Sequence, residues 1–281
     1  MVDDIGGAEA VRNLLQSPKY EMLPLKSATA QIEFLPDGAT VTVTASPVKG
    51  PEPTLELAAE LATRGYPVIT HLAARSVADE AHLSRIVEVL DADDLDRVFL
   101  VGGDAKEPGE YPDALSLIKG FESVGATFSE IGIGAYPDGH AFIPDDALAQ
   151  ALADKQPHAS YMTTQMCFDA TLIDDWVSES RADGITLPLH IGIPGVAEFQ
   201  KLIRISAQIG VGQSARFLSK STGLFRRLAP QSNYTPDKLI ADLVGVITDP
   251  AAEVQALHFY TFNQIETLEA WRRRWLAVLD G

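Results

Sequence analysis

The chain has 281 residues, enough for one large barrel or two modest domains, and its 46% hydrophobic and 22% charged residues are the balance of a folded globular protein. Thirty-nine acidic against 22 basic side chains give a net charge of −17, a field that repels nucleic-acid phosphate and anionic lipid and says little about small ligands. The single cysteine, Cys167, excludes an intrachain disulfide and a thiolate metal framework.

In chain order, the first residues are acidic and lack the basic-then-apolar order of a secretion signal. No apolar run reaches the length of a membrane span, so a cytoplasmic location is expected, and the composition is compatible with a homo-oligomer. A helix is expected over 8–15, as part of an N-terminal extension covering residues 1–19. Short β-rich runs then alternate with longer helical ones across 20–281. Strands are expected at 20–25, 40–45, 67–72, 97–101, 130–135, 160–165, 187–192 and 254–262. Most of these are continuous apolar or β-branched runs, as in parallel strands covered on the outside by helices.

Amphipathic segments separate them at 27–34, 54–63, 78–90, 113–122, 145–154, 172–181 and 197–208, with further helices expected near 214–221 and 236–247. A last helix at 265–279 closes the chain. Pro51 and Pro53 suit a helix entry. Eight strand–helix units in about this length predict a (β/α)8 TIM barrel. The rival doubly wound sheet usually carries a Gly-rich turn after its first strand, and Leu23-Pro24-Leu25-Lys26 is no such turn.

Uncommon polar residues cluster within or just after those strands: Glu21, Thr44, His71, Asp104, Tyr136 with His140, Gln165, and His258 with Thr261 and Asn263. In a barrel the strand C-termini form the catalytic edge, so contributions from seven strands predict a built site. Glu21 lies in an aromatic and aliphatic run, which raises a carboxyl pKa and suits a general acid. An outward-facing surface carboxylate fits the same pattern. Asp104 follows Gly102-Gly103, where a ligand can approach the backbone closely, though an Asp there also caps turns. Tyr136-Pro-Asp-Gly-His140 offers an aromatic face and an imidazole to a planar cofactor. No pair among the six histidines has metal-ligand spacing with a matching carboxylate or cysteine, so no metal site is expected. No Gly-x-Ser-x-Gly elbow supports a hydrolase.

Taken in order, these runs resemble the methylenetetrahydrofolate reductase family over roughly residues 20–276. The motifs are Tyr20-Glu-Met-Leu-Pro-Leu-Lys26, Val43-Thr-Ala, His71-Leu, Gly103-Asp104, Ala135-Tyr-Pro-Asp-Gly-His140, Thr164-Gln-Met-Cys-Phe-Asp169, Gly192-Ile-Pro and His258-Phe-Tyr-Thr-Phe-Asn263. A second Glu-Phe-Leu-Pro at 33–36 leaves too little room for a helix before Thr44, so Glu21 is the matching carboxylate. The resemblance implies reduction of 5,10-methylenetetrahydrofolate to 5-methyltetrahydrofolate, with FAD carrying electrons from NADH or NADPH, in one-carbon metabolism and methionine biosynthesis. It implies Glu21 as the acid at N10 and Asp104 beside pterin and flavin. Thr44, His71, Gly103, Ala135, Tyr136, His140 and Lys155 fall at cofactor positions, and Gln165, Lys201, Ile205 and Gln264 at substrate positions.

Three departures stand out. The family's Arg before Gly-Asp is Gly102, its basic pair on the helix before strand six is reduced to Lys155 beside Asp154, and its Arg after the last-strand Asn is Gln264. The first two normally neutralise the FAD pyrophosphate. A flavin-free reductase taking hydride directly from NAD(P)H is therefore the runner-up, and a non-redox pterin-binding methyltransferase or accessory barrel is an alternative of another class. Residues 201–227 hold Lys201, Arg204, Arg216, Lys220, Arg226 and Arg227 and no acid. They form either a solvated helix face or a steering patch for the folate's glutamate tail.

Overall fold

The computed structural model describes residues 5–46, 49–105, 107–209 and 233–280. Eight parallel strands close into one barrel: β1 (Lys19–Met22), β2 (Thr40–Val43), β3 (Val68–Ala73), β4 (Arg97–Val101), β5 (Glu130–Ala135), β6 (Tyr161–Thr164), β7 (Leu189–Pro194) and, last in the chain, β10 (Val254–Tyr260), which pairs with both β7 and β1. Between β7 and β10 a two-residue strand β8 (Ala197–Glu198) pairs antiparallel with β9 (Asn233–Tyr234). The expected (β/α)8 barrel is the observed fold.

The helices are α1 (Ile5–Gln16), α2 (Thr29–Ile32), α3 (Glu52–Thr63), α4 (Glu80–Ala92), α5 (Ala114–Ser123), α6 (Asp145–Lys155), α7 (Ala170–Ala182), α8 (Phe199–Ile209), α9 (Asp237–Asp242), α10 (Val244–Thr248) and α11 (Ile265–Leu279). Their starts follow local chemistry. Asp79, Asp113 and Asp169 each accept a hydrogen bond from a first-turn backbone N–H, which satisfies an otherwise orphaned donor. Pro51 and Pro53 open α3. The helix expected at 214–221, with Arg216, Lys220, Arg226 and Arg227, lies outside the described residues.

Strand alternation divides the side chains into two sets. One set, including Tyr20, Met22, Val41, Val43, Val98, Leu100, Ile133, Leu189, Ile191, Leu257 and Phe259, joins the helices in the main hydrophobic core. The alternate residues line the barrel interior, where Ile69, Phe99 and Tyr161 form a separate apolar cluster. Continuous apolar strands therefore hide a lumen that is polar over much of its length, with Lys19, Glu21, Thr42, His71, Thr163, His190 and His258 on the inward parity. α1 packs on α10 and α11, and Arg272 of α11 donates to the Leu15 carbonyl at its end. Among the described residues no helix is long and apolar enough to cross a membrane.

Candidate active site

Glu21 sits near the C-terminal end of β1 with its side chain turned into the lumen, 14% exposed. Its Oε2 lies 3.2 Å from His258 Nε2, a contact that joins residues 237 apart through β1–β10 pairing. Burial pushes the Glu21 carboxyl up to about 7, opposed by the nearby His71. Loss of solvent outweighs that attraction, so the group keeps its proton near neutrality. The same desolvation drives His71 down to about 4 and His258 down to about 3, so both imidazoles are neutral. Their rings stack at 6.3 Å.

Tyr260 lies across the lumen and donates to the Thr164 carbonyl at 2.9 Å. Gly192 makes room for it: a β-carbon there would lie 2.7 Å from the tyrosine ring and 2.2 Å from the Thr164 oxygen. Tyr136 folds back so that its hydroxyl lies 3.2 Å from the place of a β-carbon on Gly134, and its ring meets His140 edge-on at 5.6 Å. Burial, and then the charge of Asp104 on the loop after β4, raise the Tyr136 hydroxyl. Gly103 has φ +83°, and a β-carbon there would lie 2.7 Å from Ala73 Cβ. Only glycine meets both conditions, and Asp104 is held exposed beside it.

The remaining expected residues divide by position. Thr44 follows β2, half-buried, its N–H bonded to the Met22 carbonyl beside Glu21. Gln165 follows β6 and uses its side-chain oxygen on the Met166 N–H. Ala135 turns its methyl into the helix-side core, so its backbone alone faces the site edge. Ile205 packs with Met166, Phe168 and Leu202 in an apolar cluster that Tyr260 and Phe262 also join. Lys201 reaches from α8 to within 3.5 Å of the Phe262 carbonyl, next to Gln264 at the start of α11.

Lys155 is the outlier. It ends α6, which runs down from the mouth, about 15 Å of helix beyond Asp145. The groove between α6 and α7, about 400 Å³, runs from Tyr136 to Lys155 and carries Asp138, Asp145, Asp175, Glu179 and Asp183. Five carboxylates against one ammonium oppose a pyrophosphate. On the loop after β4, where the family has Arg, Gly102 brings no charge, and the Arg75 guanidinium is turned to the Ala105 carbonyl. Among the described residues Tyr136 and His140 offer ring faces at the mouth, whereas the α6–α7 groove, with Lys155 as its one basic lining residue, does not fit a pyrophosphate.

Sequence reasoning had missed Tyr260, His190, Tyr161 and Lys19 as lumen residues, and had not paired His258 with Glu21. Parity was the available signal: His258 and Tyr260 share a face of one strand, as do Lys19 and Glu21. The clamp made by Asn263 was also unforeseen. Its side chain accepts from Leu23 N–H at 2.9 Å and donates to the Leu23 carbonyl at 3.0 Å, which fixes the loop just beyond Glu21.

A closed parallel barrel with a largely buried carboxyl, two buried imidazoles and an aromatic turn toward its C-terminal edge defines a (β/α)8 protein, a fold whose sites are built at that edge. The family model of methylenetetrahydrofolate reductase matches residues 21–271, and the chain belongs to that family. Methylenetetrahydrofolate reductase 1 of Schizosaccharomyces pombe is 27% identical over 160 residues, 53% of this chain. The match spans 24% of that relative's own length. Among solved structures, a plant class V chitinase mutant from Cycas revoluta shares the fold at TM-score 0.50 and 9% identity, covering 94% of this chain and all (100%) of that one. Concanavalin B does so at 0.50 and 12%, covering 98% and 100%. At such identities the likeness is one of barrel architecture alone.

Proposed function

We propose that the protein reduces 5,10-methylenetetrahydrofolate to 5-methyltetrahydrofolate with hydride from NADH or NADPH. The observation that carries this is a carboxyl held protonated near neutrality at the mouth of a barrel of this family. Ring opening needs a proton at N10, and Glu21 supplies it. The resulting N5-iminium is cationic, and exposed Asp104 favours it electrostatically. Gln165 orients the pterin. The apolar cluster around Ile205 takes the aminobenzoate, while Lys201 with Gln264 receives the glutamate carboxylate.

NAD(P)H supplies the hydride. The acidic groove at α6–α7 favours its direct transfer to the substrate over transfer through FAD. The flavin-mediated route remains the second reading, supported by Thr44, His71, Tyr136 and His140 at ring-facing positions. The visible spectrum of the purified protein separates the two. The direct route predicts no flavin band and NAD(P)H oxidation that depends on methylenetetrahydrofolate and is unchanged by added FAD. A band near about 450 nm bleached by NAD(P)H supports the flavin route. An absence of folate-dependent NAD(P)H oxidation with and without FAD contradicts both, and leaves the methyltransferase or accessory reading.

A further inference from the structure

Below Glu21 the barrel interior holds more polar groups than packing requires. Thr42 Oγ1, His71 Nε2, Thr163 Oγ1 and His190 Nδ1 are buried, and none has a hydrogen-bond partner among the described residues. All four belong to lumen-facing positions. An unmet buried polar atom costs on the order of 1–3 kcal/mol, and native proteins meet such atoms with ordered water. Four around one axis mark a wet interior beneath a residue that must hand over a proton.

Pairwise contacts link these groups along the lumen. Glu21 contacts His258 at 3.2 Å, and His258 stacks on His71 at 6.3 Å. Thr163 is in register with His190, and the His190 and Tyr161 rings lie 4.1 Å apart. Lys19 Nζ is 4.2 Å from the Tyr161 ring and stands two residues before Glu21 on the same strand, about 6–7 Å lower. Lys19 is half-buried, with Arg97 and Glu130 acting on it at the barrel's N-terminal opening.

We propose that this polar lumen is a proton route that recharges Glu21 from the barrel's N-terminal opening while the mouth is closed by bound substrate. The inference rests on the reductase reading above. In each turnover the Glu21 O–H bond breaks as N10–H forms. The carboxylate then takes a proton from lumen water ordered by His258 and Thr163, and that water regains one through the His190 and Lys19 level from solvent. One proton enters per turnover, as the net reduction by NAD(P)H requires, and no electron moves along the route.

The neutral imidazoles relay better than charged ones, since each keeps one donor and one acceptor nitrogen. Burial holds all three neutral, and brings Lys19 down to about 8. Among the described residues, the ionisable groups facing Glu21 are His258 and Tyr260 from β10, His71 from β3, Tyr136 beyond β5 and Lys19 from its own strand. None except Lys19 is charged at neutrality.

Thr163→Val tests the route, because it removes only a buried hydroxyl that has no partner among the described residues, a change that is neutral or stabilising to the fold. NAD(P)H oxidation is followed by stopped flow from enzyme mixed with methylenetetrahydrofolate. The expected result for Thr163→Val and His190→Phe is a first turnover at the wild-type rate, then a steady state about tenfold slower. Thr163→Ser restores the steady state. Equal first and later rates in Thr163→Val, whether both normal or both slowed, overturn the route while leaving the reductase reading intact. A wild-type protein that oxidises no NAD(P)H with this folate removes the reaction and the route with it.

Discussion

Glu21 shows how a single residue's environment sets its chemistry. Two forces act on its carboxyl: desolvation in the barrel mouth and attraction to His71, and desolvation wins. Activity that needs the protonated form therefore falls as pH rises through about 7. The same shift has a thermodynamic sign. The folded state holds this proton more tightly than the unfolded chain, so the unfolded state binds fewer protons between pH 4.5 and 7 and stability declines across that window. The full shift from 4.5 to about 7 corresponds to roughly 3 kcal/mol, lost progressively and gone once the pH is well above 7. Glu21→Gln removes the penalty. Thermal melts are expected to show little difference between the variant and wild type near about pH 4.5, and a more stable variant near about pH 8. Melts that differ equally at both pH values contradict the raised pKa. The sequence disclosed the apolar neighbours of Glu21, and hence the direction of this shift. It did not disclose His258 as partner, because that contact exists only once the last strand closes on the first.

At the scale of elements, the strands were legible in number and order, and their ends less so. The first strand was expected to run to residue 25, but it ends at Met22. Pro24 lacks a backbone N–H, and Asn263 takes the Leu23 backbone out of the ladder. The seventh was expected at 187–192 and is Leu189–Pro194. Pro188 precedes it, and a proline at the end costs little once the ladder is finished. The eighth helix was expected to begin at 197, where instead Ala197 and Glu198 pair with Tyr234 and Asn233, a long-range contact invisible to local pattern. Two elements carry their own tests. Phe262 and Asn263 both have positive φ, +52° and +53°, a strained conformation that the Leu23 clamp sustains. Asn263→Ala is expected to cost about 1–3 kcal/mol in chemical denaturation and to lower turnover by loosening the loop beside Glu21. Normal stability and turnover would show the clamp to be idle. Gly103→Ala meets both the +83° φ and the Ala73 contact, so it is expected to cost about 1–3 kcal/mol and to raise KM by displacing Asp104. An unchanged KM would separate Asp104 from substrate.

Across the whole molecule, the first and last elements of the chain are tied by a buried charge cluster. Tyr20 of β1 and Arg272 of α11 both bond Glu269, and Arg272 also reaches Leu15 of α1. Breaking a buried pair strands a charge, at about 3–5 kcal/mol. Arg272→Met is therefore expected to lower stability by an amount toward the low end, since Arg273 lies 3.6 Å from Glu269 and offsets part of the loss. A denaturation midpoint equal to wild type would refute that cost. The net charge of −17 was legible at once, yet its local consequence was not. The acidic groove between α6 and α7 comes from helices that meet only in the folded barrel. In that groove Lys155 stands among five carboxylates, a field that opposes a bound pyrophosphate.

In the proposed reaction Glu21 protonates the folate at N10. The most direct measurement is the pH profile of methylenetetrahydrofolate-dependent NAD(P)H oxidation for wild type and Glu21→Gln, with 5-methyltetrahydrofolate identified as product. The wild type is expected to lose activity as pH rises through about 7, and Glu21→Gln to lose about 10²–10⁴-fold at neutral pH and to show no such step. A variant that keeps wild-type activity with the same pH step would place the proton donor elsewhere.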